Sequence, residues 1–511
     1  MSSAQILMLL AMIAYLAAMV GIGFKFSNKN KTMGDFYLGG RKLGPLVTAM
    51  SAEASDMSSY LLMGLPGLAY LTGLADVGWT IIGLAAGTYL NWLIVSRRLR
   101  IYTEKTKSIT IPEFFSNRYG DKRKYLTLLA AVWIIVFFIP YTASGFAACG
   151  KLFNSLFGID YHLAMIISAI VIILYTMLGG FLAASTTDFI QSIIMTVALF
   201  IVLVFGVYAA GGMEKVIENA SGLAGYLSFT ETHDPVTGAA KSYSFINIIS
   251  TLAWGLGYFG MPHILLRFMA IEDVSKLKTS RRVASIWALV AMAISVLIGV
   301  IGLTLSKNGS INTLEGSASE TVIVEIASLL SQNGWILAIV AGIILSGILA
   351  STMSTADSQL LAASSSVTND ILVGFFKKKI SEKKLLLISR LSLLAIAVIG
   401  VFLAWNPNSS VFQIVSFAWA GFGATFGPVV LLALFWRRSN FFGAISGMIA
   451  GGAAIFIWKF VIRPMGGALD IYELLPAFII AIGVNVIVSL CTKAPDTEVT
   501  AVFDEVGKCK E

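Results

Sequence analysis

The sequence predicts an all-α membrane protein with thirteen transmembrane helices. Hydrophobic residues make up 57% of the chain and charged residues only 13%, about half the charged share of a soluble domain. The mean hydropathy is +0.83. Apolar runs of about 20 residues, the length that crosses a bilayer, recur along the whole chain. These features indicate one polytopic domain over residues 1–491, followed by a short polar tail over 492–511.

The apolar runs define the predicted spans in order along the chain. They are 5–24, 43–71, 77–96, 126–150, 162–180, 188–210, 244–269, 284–305, 334–370, 386–404, 409–435, 440–461 and 471–491. No lysine or arginine precedes the first run, and no clear cleavage site is present. The run therefore predicts a spanning helix and not a signal peptide. The ninth run exceeds one crossing, which predicts a cytoplasmic helical extension, and an amphipathic stretch near 320–331 precedes it.

Lysine and arginine are distributed unevenly between the two sides of these spans. With the N-terminus placed outside, the inside segments hold 30 of the 36 basic residues. These segments are 25–42, 97–124, 267–282, 377–390, 437–438 and 493–510. Because cytoplasmic loops carry such an excess, the sequence predicts an external N-terminus and a cytoplasmic C-terminus. The same topology accounts for the net charge of +8 without a nucleic-acid partner.

Cysteine and histidine usage argues against a disulfide scaffold or a zinc site. Cys149, Cys491 and Cys509 are too few and too scattered for either. The three histidines have neither HxxxH nor HExxH spacing. A membrane-embedded enzyme would need a histidine–carboxylate or metal constellation, and a channel would need a selectivity filter; the sequence indicates neither.

The second predicted span is polar at its centre. It carries two carboxylates and three hydroxyls at Glu53, Ser55, Asp56, Ser58 and Ser59. A charge at the bilayer centre costs roughly 3 kcal/mol on insertion scales, and no lysine or arginine lies within this span. A bound cation, a proton or a basic partner must therefore compensate. This favours a cation-linked role for Asp56 and leaves the role of Glu53 open.

The seventh predicted span is interrupted as well, with Gly255, Gly257, Gly260 and Pro262 within eight residues. Glycine and proline weaken a helix and free its carbonyls, which survive at membrane depth only beside a cavity or an ion. The alternative is that the glycines only allow close helix packing. Because the two broken spans are five apart, the pattern predicts an inverted repeat of spans 2–6 and 7–11, the LeuT-like arrangement of transporters.

The ninth predicted span carries a cluster of oxygen side chains at Ser351, Ser354, Thr355, Asp357 and Ser358. Hydroxyls, carbonyls and carboxylates are hard ligands that suit an alkali cation better than a transition metal. The alternative is that these hydroxyls bond back to carbonyls of their own helix. The cluster predicts a cation site on this helix.

Four stretches together resemble the sodium:solute symporter family: SAEASDMSSYLLMGLPG, GGFLAASTTDFIQ, WGLGYFGMPHILLRFM and ILASTMSTADSQLL. The likeness runs in the same order over about residues 5–490. It implies thirteen spans, an external N-terminus, a LeuT-like core and sodium-coupled uptake of L-proline by alternating access at the bacterial inner membrane. The implied partners are sodium, proline and the lipid bilayer, with no enzymatic activity and no obligate protein partner.

The resemblance also implies the residues of the two sites. The implied sodium ligands are backbone or hydroxyl oxygens of Ala54, Met57, Ser351, Ser354 and Thr355. The implied solute site comprises Asp56, Ser58, Ser59, Tyr141, Trp254, Tyr258 and Pro262. Asp188, Asp357 and Ser358 leave room for a second cation or a proton.

Several positions depart from the pattern of proline carriers. Ser59 and Tyr60 stand where glycine and tryptophan are usual, Glu53 stands where a small or neutral residue is usual, and Met261 replaces a common glutamine. A symporter of the same fold for another amino acid, pantothenate or a sialic acid therefore stays open. The aromatic pair Trp254 and Tyr258 favours proline, because it offers a flat apolar wall to a pyrrolidine ring.

Overall fold

A computed structural model describes residues 2–27 and 33–508 of the chain. Cys509 and three of the basic residues counted above (Lys29, Lys31 and Lys510) lie outside this range. Within it the chain is almost entirely helical. The α-helices are Ser3–Ser27, Met33–Leu38, Pro45–Ser59, Leu65–Thr72, Leu74–Leu90, Ser96–Lys105, Ile111–Arg118, Tyr125–Phe157, Tyr161–Ala209, Met213–Ser221, Phe245–Leu252, Pro262–Ala270, Leu277–Lys307, Val322–Ser331, Trp335–Ser365, Glu382–Leu403, Val411–Phe435, Phe441–Ile457, Leu474–Cys491 and Thr497–Lys508.

Shorter elements join or interrupt these helices. Segments with π-helical hydrogen bonding are Tyr60–Gly64, Asn91–Val95, Ser366–Phe375 and Trp458–Ile462. The 3₁₀ segments are Gly39–Arg41, Ala253–Gly260, Val274–Lys276, Gly316–Thr321, Arg463–Met465 and Gly467–Leu469. Strands Glu231–His233 and Ala240–Ser242 form one antiparallel hairpin, with Thr232 opposite Lys241.

Ten helices of the described chain are long and apolar enough to cross a membrane, or eleven if the bent pair Phe245–Gly260 and Pro262–Ala270 counts as one span. The protein is therefore a multi-pass membrane protein. Two predicted spans lie outside this count. The second is divided at Ser58, and the fifth is covered by the shorter apolar helix Tyr161–Met177. The prediction of thirteen spans is not confirmed by length and composition.

The predicted fifth and sixth spans meet at a kink within Tyr161–Ala209, next to the boundary that the sequence predicted over 181–187. The helix bends at Gly180, which has φ 62° and ψ −170°. Residues 181–187 are helical, and their hydroxyls bond back to carbonyls of the same helix, as Thr187 does to Ala183. The two spans are therefore separate helical segments, joined by a kink and not by a loop.

Helix Trp335–Ser365 lies at the centre of the bundle. It packs against Tyr161–Ala209, Ser3–Ser27, Pro45–Ser59 and Tyr125–Phe157, and residues 344–361 are buried without interruption. A helix that is apolar on every side and surrounded by other helices belongs to the core. The hydroxyl cluster predicted from the sequence therefore faces protein and not lipid.

The polar tail ends in a helix, Thr497–Lys508, that docks on the bundle. Arg437 forms two hydrogen bonds to the Asp504 carboxylate, at 2.8 and 2.9 Å. The Arg118 guanidinium lies 4.9 Å from the centre of the Phe503 ring. The sequence predicted a short tail and did not predict this docking.

Candidate functional site

The second span breaks at Ser58. The helix begins at Pro45. Proline is favourable at the first position of a helix, because the N–H group that it lacks would have no partner within the helix there. It runs to Ser58, whose φ of 48° and ψ of −167° lie in a region that is essentially restricted to glycine. The Tyr60 amide donates to the Ser58 hydroxyl at 3.1 Å. The break therefore lies where the sequence predicted it, among the polar residues.

The seventh span breaks between its 3₁₀ segment Ala253–Gly260 and the helix that starts at Pro262. Two freed carbonyls find side-chain donors on other helices. The Asn91 amide donates to the Tyr258 carbonyl at 2.9 Å, and the Trp419 indole donates to the Trp254 carbonyl at 2.8 Å. Such pairing is what allows irregular backbone at membrane depth.

The predicted sodium ligands meet where the second span touches the ninth. The Ser354 hydroxyl lies 2.8 Å from the Ala54 carbonyl oxygen and 3.1 Å from the Ser351 carbonyl oxygen. The Thr355 hydroxyl lies 3.1 Å from the same Ser351 oxygen. Four of the five predicted residues thus contribute to one cluster of neutral oxygens, the donor set that suits an alkali cation. The fifth, Met57, lies at the break, where its carbonyl accepts from the Tyr60 amide.

Two tyrosines converge on Asp56. The Tyr258 hydroxyl donates to its carboxylate at 2.5 Å, and the Tyr141 hydroxyl donates to its backbone carbonyl at 3.1 Å. All three residues are buried. The contacts join the second, fourth and seventh spans at the break beside Ser58, as expected for a site that holds a small polar solute.

An aromatic wall adjoins this polar group. Trp254 stacks with Tyr60 at 5.7 Å and with Tyr472 at 5.0 Å between ring centres, and Phe412 lies 5.6 Å away. The hydroxyls of Ser59 and Tyr60 are buried without a hydrogen-bond partner. Because buried polar groups are usually paired, these two hydroxyls are available to a ligand. Both belong to positions that depart from the pattern of proline carriers.

A polar cavity of about 620 Å³ opens on the other side of the aromatic wall. Trp254 and Tyr472 border it, together with the charged residues Asp76, Arg463 and Asp470. The lining of this cavity includes three rings of the aromatic wall, Trp254, Phe412 and Tyr472, and does not include Asp56.

Glu53 is held by neutral donors. Its Oε1 atom accepts from the Thr88 hydroxyl at 3.0 Å and from the Trp92 indole at 3.2 Å, while Oε2 is buried without a partner. In the described chain neither Glu53 nor Asp56 forms an ion pair with a basic residue. Thr88 and Trp92 were not predicted as partners, because they lie on the third span and no local pattern links them to Glu53.

The residue that the sequence analysis missed is Arg267. We counted it among the cytoplasmic basic residues, but it is 1% exposed and reaches into the bundle. Its guanidinium lies 3.0 Å from the Asp188 carboxylate, 2.5 Å from the Ser358 hydroxyl and 3.0 Å from the Ser51 hydroxyl. The available signal was an arginine within the last three residues of a broken apolar span, 244–269.

The remaining predicted residues lie around this arginine. The Asp357 carboxylate accepts from the Tyr175 hydroxyl at 2.8 Å and from the Ser358 hydroxyl at 3.1 Å. Pro262 starts its helix on the opposite side of the seventh-span break from Trp254, and it borders a cavity with Arg267 and Ser358. Among the described residues no group of three or more histidines, cysteines or carboxylates could hold a metal ion.

Two discontinuous helices around a buried carboxylate, with a cluster of neutral oxygens beside them, define a cation-coupled secondary transporter. The model of the sodium:solute symporter family matches residues 36–451, and the chain belongs to that family. Sodium is accordingly its co-transported ion.

Curated relatives match nearly the whole chain. The osmoregulated proline transporter OpuE of Bacillus subtilis (strain 168) is 41% identical over 94% of this chain and 94% of its own. The high-affinity proline transporter PutP of the same strain is 42% identical over 95% of this chain and 98% of its own. The sodium/proline symporter of Haemophilus influenzae (strain ATCC 51907 / DSM 11121 / KW20 / Rd) is 41% identical over 97% and 96%.

Solved structures share the fold at low sequence identity. A Na⁺-coupled sialic acid symporter in a substrate-bound outward-open state has a TM-score of 0.78 at 18% identity, with 96% of this chain and 99% of that chain covered. A transporter of the nucleobase-cation-symport-1 family in a closed conformation has a TM-score of 0.53 at 12% identity, with 92% and 98% covered. At these identities the likeness concerns the fold alone.

Proposed function

We propose that this protein is a sodium/L-proline symporter that takes up proline by alternating access. Relatives named for proline transport, 41–42% identical over at least 94% of this chain, support the choice of solute. The observation that carries the mechanism is the 2.8 Å contact between the Ser354 hydroxyl and the Ala54 carbonyl. It links the proposed ion site to the broken second span. In this proposal the chain moves solute and ion without chemically altering either.

In the proposed topology the chain crosses the bacterial inner membrane thirteen times, with the N-terminus outside and the C-terminus in the cytoplasm. The eleven candidate spans, the divided second span and the short fifth span make up this number. The breaks at Ser58 and at 253–261 lie in the second and seventh spans. This placement supports the inverted repeat of spans 2–6 and 7–11. Residues 1–491 form the transport domain, and 492–511 form the cytoplasmic tail.

Sodium binding orders the solute site in this proposal. An ion held by oxygens of Ala54, Met57, Ser351, Ser354 and Thr355 joins the second span to the ninth. This fixes the unwound backbone at Ser58, which receives the amino and carboxylate groups of proline, since the freed backbone groups of a broken helix are suited to them.

The side chains around the break hold the rest of the solute. Asp56, Ser59 and Tyr141 provide polar contacts, while Trp254 and Tyr258 cover the ring. Burial of a valine-sized ring contributes about 2 kcal/mol, which favours proline over glycine and alanine but does not exclude close ring analogues. Pro262, beyond the break, fixes the start of the following half-helix.

The cluster around Asp188, Asp357 and Ser358 is the proposed place for a second cation or a proton. Arg267 already balances one of its carboxylates. The Asp188 Oδ1 atom is buried without a partner, so a second ion would meet this oxygen and the Asp357 carboxylate.

Uptake of labelled proline into proteoliposomes, with and without an inward sodium gradient, tests the proposal. We expect sodium-dependent accumulation of proline, and Trp254→Ala should weaken apparent proline affinity far more than sodium affinity. Pantothenate, a sialic acid and alanine serve as competing solutes. Sodium-dependent uptake of one of these and not of proline would overturn the choice of solute, and Ser59 and Tyr60 would be the first residues to examine.

A further inference from the structure

The helix that carries the sodium ligands continues past the ion site with a second group of oxygens. Its continuation, Ser366–Phe375, has π-helical hydrogen bonding between residues five apart. Because this winding takes more than four residues per turn, it brings Ser365 and Asp370 toward one side of the helix. At 1.5 Å per residue, Asp370 lies about 22 Å along the axis from Thr355.

Asp370 is buried and only partly paired. Its Oδ1 atom accepts from the Thr110 hydroxyl at 2.6 Å, while its Oδ2 atom is buried without a hydrogen-bond partner. The Ser365 hydroxyl is also buried and unpaired. In the described chain Asp370 belongs to no ion pair, and the only other donor to its Oδ1 atom there is the Asn369 side-chain amide, at 3.4 Å. A buried carboxylate oxygen without a donor is costly unless a cation or water occupies the adjacent space.

Such a space exists next to these oxygens. A cavity of about 30 Å³ is lined mainly by apolar side chains, and its polar and charged lining includes Ser365, Asp370 and Thr110 as well as Ser358 and Arg267. This volume is enough for a water molecule or a small cation. The guanidinium of Arg267 is engaged with Asp188 and Ser358. The oxygens of Ser365 and Asp370 are unpaired, so a cation is favoured beside them.

We propose that Asp370 and Ser365 form an inner sodium-binding site, which the ion occupies after it leaves Ala54, Ser354 and Thr355 and before it enters the cytoplasm. The inward direction of travel rests on the topology of the proposed function. This site is separate from the cluster of Asp188 and Asp357, since Asp370 lies about 20 Å beyond Asp357 along the same helix at 1.5 Å per residue. A carboxylate with a hydroxyl beside it is a donor set that sodium accepts readily.

Internal and external sodium can be varied separately in proteoliposomes of defined orientation. A site on the exit path determines how strongly internal sodium inhibits uptake by slowing sodium release. The ligands at Ser354 determine how external sodium activates uptake. For Asp370→Asn we expect the internal sodium concentration that half-inhibits uptake to rise at least fivefold. The external concentration for half-maximal uptake should stay within about twofold of wild type. Ser354→Ala is the matched control and should show the opposite pattern.

Unchanged values for both concentrations in Asp370→Asn would overturn the proposal, because the carboxyl would then be a structural partner of Thr110 only. Equal shifts in both would also overturn it, since Asp370 would then act through the outer site. Asp370→Glu keeps the carboxylate, so its inhibition by internal sodium should be close to that of wild type.

If Asp370→Asn fails to reach the membrane, Ser365→Ala gives the decision. If Ser365→Ala raises the internal sodium concentration that half-inhibits uptake about twofold, the site is supported. If that concentration does not rise, the proposal is overturned. Failure of the proposed function is distinguishable, because the wild-type protein would then take up another solute and not proline. The internal and external sodium concentrations are in that case measured with the other solute.

Discussion

Two neighbouring hydroxyls of the ninth span differ in what they join. Ser354 reaches the Ala54 carbonyl on the second span, whereas Thr355 contacts the Ser351 carbonyl of its own helix. We expect Ser354→Ala to raise the sodium concentration for half-maximal uptake about tenfold, corresponding to a ligand worth about 1.4 kcal/mol. Thr355→Ala should raise it less. The measurement is initial proline uptake against external sodium at saturating proline.

Thr355→Ser is the control for these two variants, because it keeps the hydroxyl, and its sodium dependence should match wild type. Normal sodium dependence in both alanine variants, at normal membrane levels, would remove the two hydroxyls from the ion site.

The carboxylate of Asp56 lies at the break with a tyrosine as its side-chain partner. Asp56→Asn keeps the shape but removes the charge, so we expect concentrative uptake to be lost while the protein still folds and inserts. Tyr258→Phe removes the hydrogen bond and keeps the charge, and it should retain accumulation at reduced affinity. Accumulation of proline against its gradient by Asp56→Asn would show that this carboxylate is structural.

At the scale of single residues, the sequence indicated the chemistry of the site better than its pairing. The Ser354 hydroxyl was predicted from the cluster of oxygen side chains on the ninth span, whereas the Ala54 carbonyl was implied by the resemblance to the symporter family. The contact of Arg267 with Asp188 was not predicted, because it joins residues 79 positions apart. Hydropathy assigns a terminal arginine to the nearest aqueous side, and only the packed bundle shows that its side chain turns inward.

Between elements, the third and seventh spans approach each other through glycine. A Cβ atom added at Gly255 would lie 2.2 Å from the carbonyl oxygen of Gly83, so Gly255→Ala requires a backbone shift. Such overpacking typically costs 1–3 kcal/mol. We expect a clear loss of thermal stability in detergent, with proline uptake reduced because the Trp254 segment moves with the shift.

Gly21→Ala is the matched control, since nothing lies within 4 Å of a Cβ atom at that position. It should be neutral or slightly stabilising, as alanine is the better helix former. Equal melting temperatures for the two variants would contradict the close approach of these helices.

The C-terminal helix is held at the protein surface by a charge pair. Hydrogen bonding from Arg437 lowers the pKa of Asp504. A lowered pKa favours docking above the unfolded value of about 3.9 and withdraws that support as the pH falls through the lowered value. Amide exchange over Thr497–Lys508 should therefore be protected at pH 7, and Arg437→Ala should increase it. Unchanged protection in Arg437→Ala would leave Phe503 as the main contact.

At the scale of elements, the sequence predicted most spans because each buries an apolar run, and it predicted both broken spans from their glycines and polar residues. It predicted the boundary between the fifth and sixth spans next to the kink at Gly180, but it predicted a loop over 181–187 where the chain is helical, because a kink and a short loop have the same residue pattern. It also did not predict the tail helix, whose docking depends on Arg437 and Phe503 contacting distant partners.

For the whole molecule, the proposed topology predicts which loops face which side. In a background with the native cysteines replaced by serine, Val236→Cys should react with an impermeant thiol reagent in intact cells, since Val236 is 91% exposed in a proposed external loop. Lys378→Cys, in a proposed internal loop, should react only after permeabilisation. The reverse labelling pattern would invert the proposed orientation. Labelling of both cysteines in intact cells would contradict the odd number of membrane crossings proposed between positions 236 and 378.

The oxygens that join Ala54, Ser351, Ser354 and Thr355 include no carboxylate. In the proposed site, therefore, no fixed negative charge accompanies the bound ion, and zwitterionic proline adds no net charge. Over a complete cycle each ion carried inward moves one net positive charge through the electric field of the membrane, because the groups that hold it return to their starting positions. That field supplies about 2.3 kcal/mol per charge for every 100 mV, so an energised cell drives accumulation by its voltage even where sodium concentrations on the two sides are nearly equal.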